Sequence, residues 1–452
     1  MQNLKAKQRK LAILDNKNVD YKKETLAGIT TFLAMAYIIA VNPDILSKSG
    51  MPVGALVTAT CLSAGLTSIF MGVYANLPIG LASGMGLNAF FAFTVCGKYG
   101  ISWPVALTAV FVEGIIFIIL SLFSVREAVV NAIPRNMKLA VTGGIGLFIA
   151  FIGMLNSGLV VQDQSTTVAL GRFTTPSVAI ACLGILIIVI LEKKKVKGAM
   201  LWGILGGTLV AWAYALYDTQ GAAAFGIYLP NGIFKFESLT PIAGKVDFSF
   251  LSNSANILTF IGVVLTFLFV DFFDTVGTLV GVATRANLVD KEGRVPNAGR
   301  ALLVDAVGTT GGALMGVSAI TAYIESATGI EEGGRTGFTA VVTGVLFLLA
   351  MFLSPIFIAI PSCATAPALI YVGYLMMGTV KEIDFSDITE AVPAFLTISM
   401  MPFTYSIGDG LMIGILSYVI INVISNLISK DKKKISAVMY LLAVIFILKL
   451  VL

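Results

Sequence analysis

Fifteen apolar blocks, most of them close to twenty residues long, occupy nearly all of the chain after residue 25. They run at about 26–44, 53–74, 79–96, 101–124, 138–156, 175–191, 198–217, 254–281, 298–317, 318–330, 336–354, 363–380, 391–407 and 409–428, with a final run at 435–452. An α-helix rises about 1.5 Å per residue, so roughly 20 apolar residues cross a hydrocarbon layer about 30 Å thick. Inside that layer no water satisfies backbone N–H and C=O groups, which restricts such blocks to helices. Only 12% of the 452 residues are charged and 57% are hydrophobic, against about 25% charged in a soluble domain. The pattern excludes a soluble enzyme, a disordered chain and a nucleic-acid-binding protein, and defines an all-α polytopic membrane protein whose surroundings are a lipid bilayer. A polar stretch, about 218–253, separates the seventh block from the eighth. No apolar run lies within the first 24 residues, so a cleaved signal peptide is not expected.

Two absences narrow the chemistry. The chain has no histidine, which removes histidine proton relays, histidine metal sites and Ser–His or Cys–His catalysis. Its four cysteines, Cys61, Cys96, Cys182 and Cys363, are far apart and form no CxxC pair, so they read as thiols within apolar helices. No cofactor, metal site or catalytic residue is expected.

The charges orient the chain. With the N-terminus in the cytoplasm and sides alternating at each block, 24 Lys and Arg fall on cytoplasmic flanks and five on external ones. That asymmetry is the positive-inside signature of a cytoplasmic membrane, with a prokaryotic inner membrane as the expected location. It accounts for the net charge of +5 without an acidic partner.

Two blocks are broken. The stretch 79–96 is laced with Gly and Ser, and 318–330 is only thirteen residues long and carries Thr321, Tyr323 and Glu325. Interrupted segments at corresponding places in two halves mark transporter binding sites. The halves are related in sequence: AIPRNMKLAVTGGIG begins at Ala132 and AIPSCATAPALIYVG at Ala359, an offset of 227, while SGMGLNAFF begins at Ser83 and SAITAYIES at Ser318, an offset of 235. With seven segments per copy, the second copy must be inverted. The expected architecture is therefore 14 transmembrane segments as a 7+7 inverted repeat, with one extra C-terminal hydrophobic segment.

Ionisable side chains within apolar blocks are costly, and each is a functional candidate. Asp271 and Asp274 lie in FLFVDFFDTVGTLVG, and their i,i+3 spacing is expected to put both on one helical face. Glu325 lies in the short tenth block; Glu113, Asp305 and Asp409 lie closer to block ends. Without histidine, carboxyls are the available proton carriers, and Asp271, Asp274 and Glu325 are the proton-coupling candidates. A carboxylate also accepts two parallel N–H bonds, which suits the edge of a heterocycle bearing adjacent donors. Asn88 can donate and accept, and Phe90, Phe91, Phe272, Phe273 and Tyr323 offer stacking surfaces for a planar ring.

The strings ETLAGITTFLAMAYIIAVNP (24–43), ASGMGLNAFFAF (82–93), VDFFDTVGTL (270–279), AYIESATGIEEGGRTG (322–337) and AVPAFLTISMMPFTYSI (391–407) spread over nearly the whole chain. They resemble nucleobase–cation symporters of the nucleobase-ascorbate class, and within it the AzgA-like adenine/guanine/hypoxanthine permeases. The resemblance implies a core domain of segments 1–4 and 8–11 and a gate domain of segments 5–7 and 12–14. On this sequence that means a tail at 1–25, core at 26–131 and 254–358, and gate at 132–253 and 359–452. It implies short strands in segments 3 and 10, facing each other. It further implies substrate contacts from Asp274, with Asp271 one turn earlier, from Glu325 with Tyr323 and Ile324, from the stretch Gly86–Phe90 including Asn88, Ala89 and Phe90, and from Phe273. Some uracil and xanthine relatives carry a histidine shortly after the segment-8 carboxylate; Thr278 stands there.

The expected function is proton-coupled uptake of a purine nucleobase (guanine/hypoxanthine or adenine) by elevator-like motion of core against gate. Sodium is the less favoured coupling ion, and a homodimer through the gate domain is expected from the resemblance. The rival is an anion transporter of the same 7+7 fold. That site would present helix N-termini and a basic group rather than three carboxyls.

Overall fold

The computed structural model describes residues 19–122, 133–252, 254–285, 297–428 and 432–451. Arg126, Lys291, Arg294, Lys430 and the five most N-terminal basic residues, all used in orienting the chain, lie outside them. The protein is mostly helical. Among the described residues eight helices are long and apolar enough to cross a membrane, from Tyr21–Ser47 to Ile407–Ile428. Shorter apolar helices include Gly337–Ala350, Ile388–Phe403 and Ala437–Val451, and the eighth block forms the 32-residue helix Ser254–Arg285.

Four short strands interrupt this helical pattern: β1 (Leu81–Ser83), β2 (Val160–Asp163), β3 (Thr167–Leu170) and β4 (Ile320–Ala322). β2 and β3 form a hairpin beyond the end of helix Arg135–Ser157, an addition to the expected strands of segments 3 and 10. Its turn is set by Asp163, whose Oδ1 accepts from the backbone N–H of Ser165 at 2.8 Å and of Thr166 at 2.9 Å. Those donors hold the Asp163 carboxyl below its usual range.

β1 and β4 come from the two broken blocks and pair antiparallel, with Leu81 opposite Ala322 and Ser83 opposite Ile320. The ladder extends through Gly84 N–H to Ala319 O (2.9 Å) and Tyr323 N–H to Gly80 O (3.0 Å). A two-stranded ribbon has two open edges, and buried edge groups need partners. Side chains from neighbouring helices supply them. Ser68 Oγ donates to Leu81 O at 3.1 Å and accepts from Leu81 N–H at 2.9 Å. Thr309 Oγ1 donates to Ile320 O at 3.1 Å and accepts from Ile320 N–H at 3.0 Å. One hydroxyl thus closes each edge in the same way, which makes Leu81 and Ile320 equivalent positions. Their offset is 239, so the sequence match that paired Ser83 with Ser318 was displaced by four residues.

The other repeat holds in three dimensions. Pro134 and Pro361 are both extended residues preceding a helix N-terminus, those of Arg135–Ser157 and Ser362–Met377. A Pro suits that place because the N–H it lacks would have no helical partner. The two helices pack against each other at Gly146 and Gly373, which are also 227 residues apart. A Cβ added to Gly373 would lie 2.4 Å from Gly146 O. The two backbones therefore touch, as small residues permit in membrane helix pairs. Segments 2 and 11 make a similar contact, where a Cβ on Gly72 would lie 2.2 Å from Gly337 O.

Candidate binding site

The site forms where two irregular stretches meet. The first helix is interrupted at Ala36–Tyr37, between Tyr21–Met35 and Ile38–Ser47. Pro43 lies in the second half and cannot donate to the carbonyl four residues earlier. In the tenth segment the chain leaves β4, turns through Tyr323, Ile324 and Glu325, and enters the short helix Ser326–Glu331. Ser326 N–H to Tyr323 O at 3.1 Å fixes the turn, and Ser326 Oγ accepts from Gly80 N–H at 3.0 Å, tying it to segment 3.

At this meeting point Tyr37 OH donates to Glu325 Oε1 at 2.7 Å. Tyr323 OH donates to Ser83 O at 2.6 Å, so its hydroxyl is committed to the strand backbone while its ring faces the site. Asp274, on helix Ser254–Arg285, has the Thr321 hydroxyl as a hydrogen-bond partner, and Thr278 follows one turn later. With Met85 and Gly86 from segment 3, these groups surround a cavity of about 80 Å³. Val372 and Met376 of helix Ser362–Met377 form its opposite, apolar wall. A second cavity of about 640 Å³ shares Ile324 and Glu325 and extends past Ala34 and Thr328 to Glu192 and Lys197. Lys197 pairs there with Glu332. Ile324 is 46% exposed, because its side chain faces this space rather than the packed interior.

Two carboxyls and several hydroxyls line the smaller cavity, and no Lys or Arg is among the described residues lining it. Such a set presents acceptors to a neutral, planar molecule bearing N–H groups, with apolar side chains on the facing wall. Among these described residues it offers an anion no cationic side chain to pair with.

The structure brings Asp274, Tyr323, Ile324 and Glu325 to one cavity, the four that the family resemblance implies as substrate contacts. Of the stretch Gly86–Phe90 only Gly86 lines the cavity; a Cβ there would lie 2.6 Å from Ile145 Cγ2. Asn88 is fully buried behind the strand, where its Oδ1 accepts from Ser83 Oγ at 2.7 Å. Ala89 is buried, and Phe90 packs edge-on against Phe267 with centroids 4.9 Å apart. The side chain of Phe273 lies outside the described residues. Asp271 and Asp274 do not share a face in the sense expected. Asp274 meets the cavity, whereas Asp271 accepts from Thr275 Oγ1 at 3.5 Å, and that hydroxyl also reaches Asp305 Oδ1 at 2.9 Å. Three residues turn a helix through about 300°, so the pair diverges by about 60°, enough to separate cavity from helix interface. Glu113 and Asp305 are completely buried rather than near segment ends. Asp409 pairs with Lys98 at 2.6 Å and accepts from Tyr99 OH at 3.1 Å.

Tyr37, Val372 and Met376 were not singled out in the sequence. Tyr37 carried a usable signal, since Pro43 marks a disturbed helix. Val372 and Met376 carried none, because an apolar residue on an apolar helix looks alike whether it faces lipid, protein or a cavity.

The fold and the site together define an integral membrane transporter rather than an enzyme. The fold is shared with a solved bicarbonate transporter transmembrane domain, that of BicA from a cyanobacterium, at TM-score 0.64 over 87% of this chain and 97% of that one, with 13% identity. The family signature described as Permease family (Xan_ur_permease) matches residues 22–413. The chain is 42% identical over 431 residues to the adenine permease AdeP of Escherichia coli K12, covering 95% of this chain and 93% of that one. It is 43% identical over 445 residues to the guanine/hypoxanthine permease PbuG of Bacillus subtilis 168, covering 96% and 97%. The chain belongs to this permease family, in its nucleobase-ascorbate class.

Proposed function

We propose that the protein takes up a purine nucleobase, guanine/hypoxanthine or adenine, across the plasma membrane in symport with protons. The observation that carries this reading is the convergence of Asp274 and Glu325 on one cavity with an apolar wall. A purine presents N–H donors along its edge, and two carboxyls from different segments can accept from two of them. The full-length relatives with purine names support the substrate class. The absence of a lining Lys or Arg among the described residues argues against an anion as cargo.

In this reading the chain crosses the membrane fourteen times, with its N-terminus in the cytoplasm. Residues 26–131 and 254–358 form the core that carries the carboxyls, and 132–253 and 359–452 form the gate that supplies Val372 and Met376. Elevator-like movement of core against gate carries the base across. The cavity shared by Glu325, Glu192 and Lys197 is the cytoplasmic route, since Lys193, Lys194, Lys195 and Lys197 lie on the flank that the charge asymmetry assigns inside. Glu325 and Asp274 accept from the base, and Asp271 or Asp274 carries the proton. The gate domain is the surface for a homodimer.

The test is uptake of labelled hypoxanthine by a purine-uptake-deficient bacterium, with adenine, guanine, xanthine and uracil as competitors and with a protonophore. Saturable uptake blocked by purines and abolished by the protonophore is the expected result. No uptake of any base by protein shown to reach the membrane refutes the reading, and full pH-dependent uptake by Glu325→Gln refutes the site.

A further inference from the structure

We propose that Tyr37 is a positioning residue for substrate recognition: its hydroxyl holds the Glu325 carboxylate toward the purine cavity and away from the neighbouring larger one. The inference rests on the proposed function and deepens it by assigning a residue on a different helix to the control of the segment-10 carboxylate.

Glu325 stands immediately before helix Ser326–Glu331, but its carboxylate does not cap that helix. Its own backbone N–H is a local partner, but the side chain has three rotatable bonds of its own, and the partner that reaches it from another helix is Tyr37. Tyr37 donates to Oε1 at 2.7 Å from across the site. The Tyr37 ring is only 1% exposed, so packing fixes the donor before any substrate arrives. Glu325 also borders two spaces at once, the cavity of about 80 Å³ and the one of about 640 Å³. A carboxylate at such a boundary, without a fixed donor, turns into the larger and wetter space. Recognition of paired N–H groups needs the carboxylate within about 0.5 Å of its productive place. Tyr37 meets that requirement, and its position at the break between Tyr21–Met35 and Ile38–Ser47 lets the side chain reach the tenth segment.

Tyr37→Phe removes the hydroxyl and keeps the buried ring. The expected result is a rise of about tenfold in the KM for purine uptake, the size of one lost bond to a charged group. Vmax and membrane abundance stay near wild type. A second comparison uses Glu325→Ala, measured by purine binding to the purified protein. With no carboxylate left to hold, adding Tyr37→Phe should not weaken binding further. An unchanged KM in Tyr37→Phe beside saturable wild-type uptake overturns this inference alone. So does a loss confined to Vmax and abundance, which marks a merely structural residue, or a full additive loss in the Glu325→Ala background. Absence of saturable purine uptake by the wild type refutes the proposed function, and this inference with it.

Discussion

Replacing Thr309 by Val tests how the strand pair survives inside the membrane. The two side chains have nearly the same shape, so the change removes a hydroxyl with little change in volume. That hydroxyl serves both backbone groups of Ile320, accepting from its N–H at 3.0 Å and donating to its C=O at 3.1 Å. Ile320 is fully buried, so no water replaces either bond without rearrangement. An unsatisfied buried group costs about 1–3 kcal/mol. Two such groups set a range of about 2–6 kcal/mol, and partial relaxation of the strand edge puts the expected loss near 3 kcal/mol. For a chain of this size that corresponds to a fall of roughly 3–6 °C in melting temperature. Thr309→Ser is the control, because it keeps the hydroxyl and loses only the methyl. Ser68→Ala should behave like Thr309→Val, since Ser68 serves Leu81 with the same two bonds. Fluorescence-monitored melting of the purified proteins in detergent is the assay. A Thr309→Val protein melting within a degree of Thr309→Ser refutes the reasoning that one hydroxyl satisfies the edge.

Three further outcomes are expected. Asp274→Asn and Glu325→Gln should each lower purine uptake at least tenfold at normal membrane abundance, because an amide presents one acceptor oxygen where the carboxylate presents two; near-wild-type uptake by both would remove these residues from the site. Gly373→Ala should destabilise by about 1–3 kcal/mol, since its Cβ would lie 2.4 Å from Gly146 O and 2.7 Å from Ala150 Cβ, whereas Gly311→Ala, with nothing within 4 Å, should be neutral or slightly stabilising; equal melting of the two variants contradicts the backbone contact. Finally, the hydrogen bond from Lys433 holds the Asp387 carboxyl below its usual range. The folded value is depressed, so the pair's contribution is complete above the ordinary carboxylate range and disappears as pH falls through the depressed value. Both side chains are 36% exposed, which limits the contribution to about 0.5 kcal/mol. Asp387→Asn should melt slightly below wild type at neutral pH and with it in acid; a gap that persists in acid excludes the charge as its cause.

The sequence by itself determined the solvent of this protein and the outline of its fold. Long apolar blocks permit one backbone solution in lipid, which is why the blocks around Arg135–Ser157 and Ser362–Met377 are helices, each entered from an extended proline, Pro134 and Pro361. The rarity of charge in such blocks made Asp274 and Glu325 visible, because an ionisable group there is too costly to be incidental. Gly-rich and short blocks located the two interruptions. What the sequence left undecided depends on contacts between distant segments. It misaligned the strands, since pairing is set by backbone hydrogen bonds and by the hydroxyls of Ser68 and Thr309 rather than by the identity of Leu81 or Ile320. It placed Asp271 with Asp274, though a 60° divergence sends one to Thr275 and Asp305 and the other to the cavity. Tyr37 acquired its place only when segment 1 met segment 10, 288 residues away. Periodicity reports which way a side chain points from its own helix, and only the packing of helices decides what stands there to meet it.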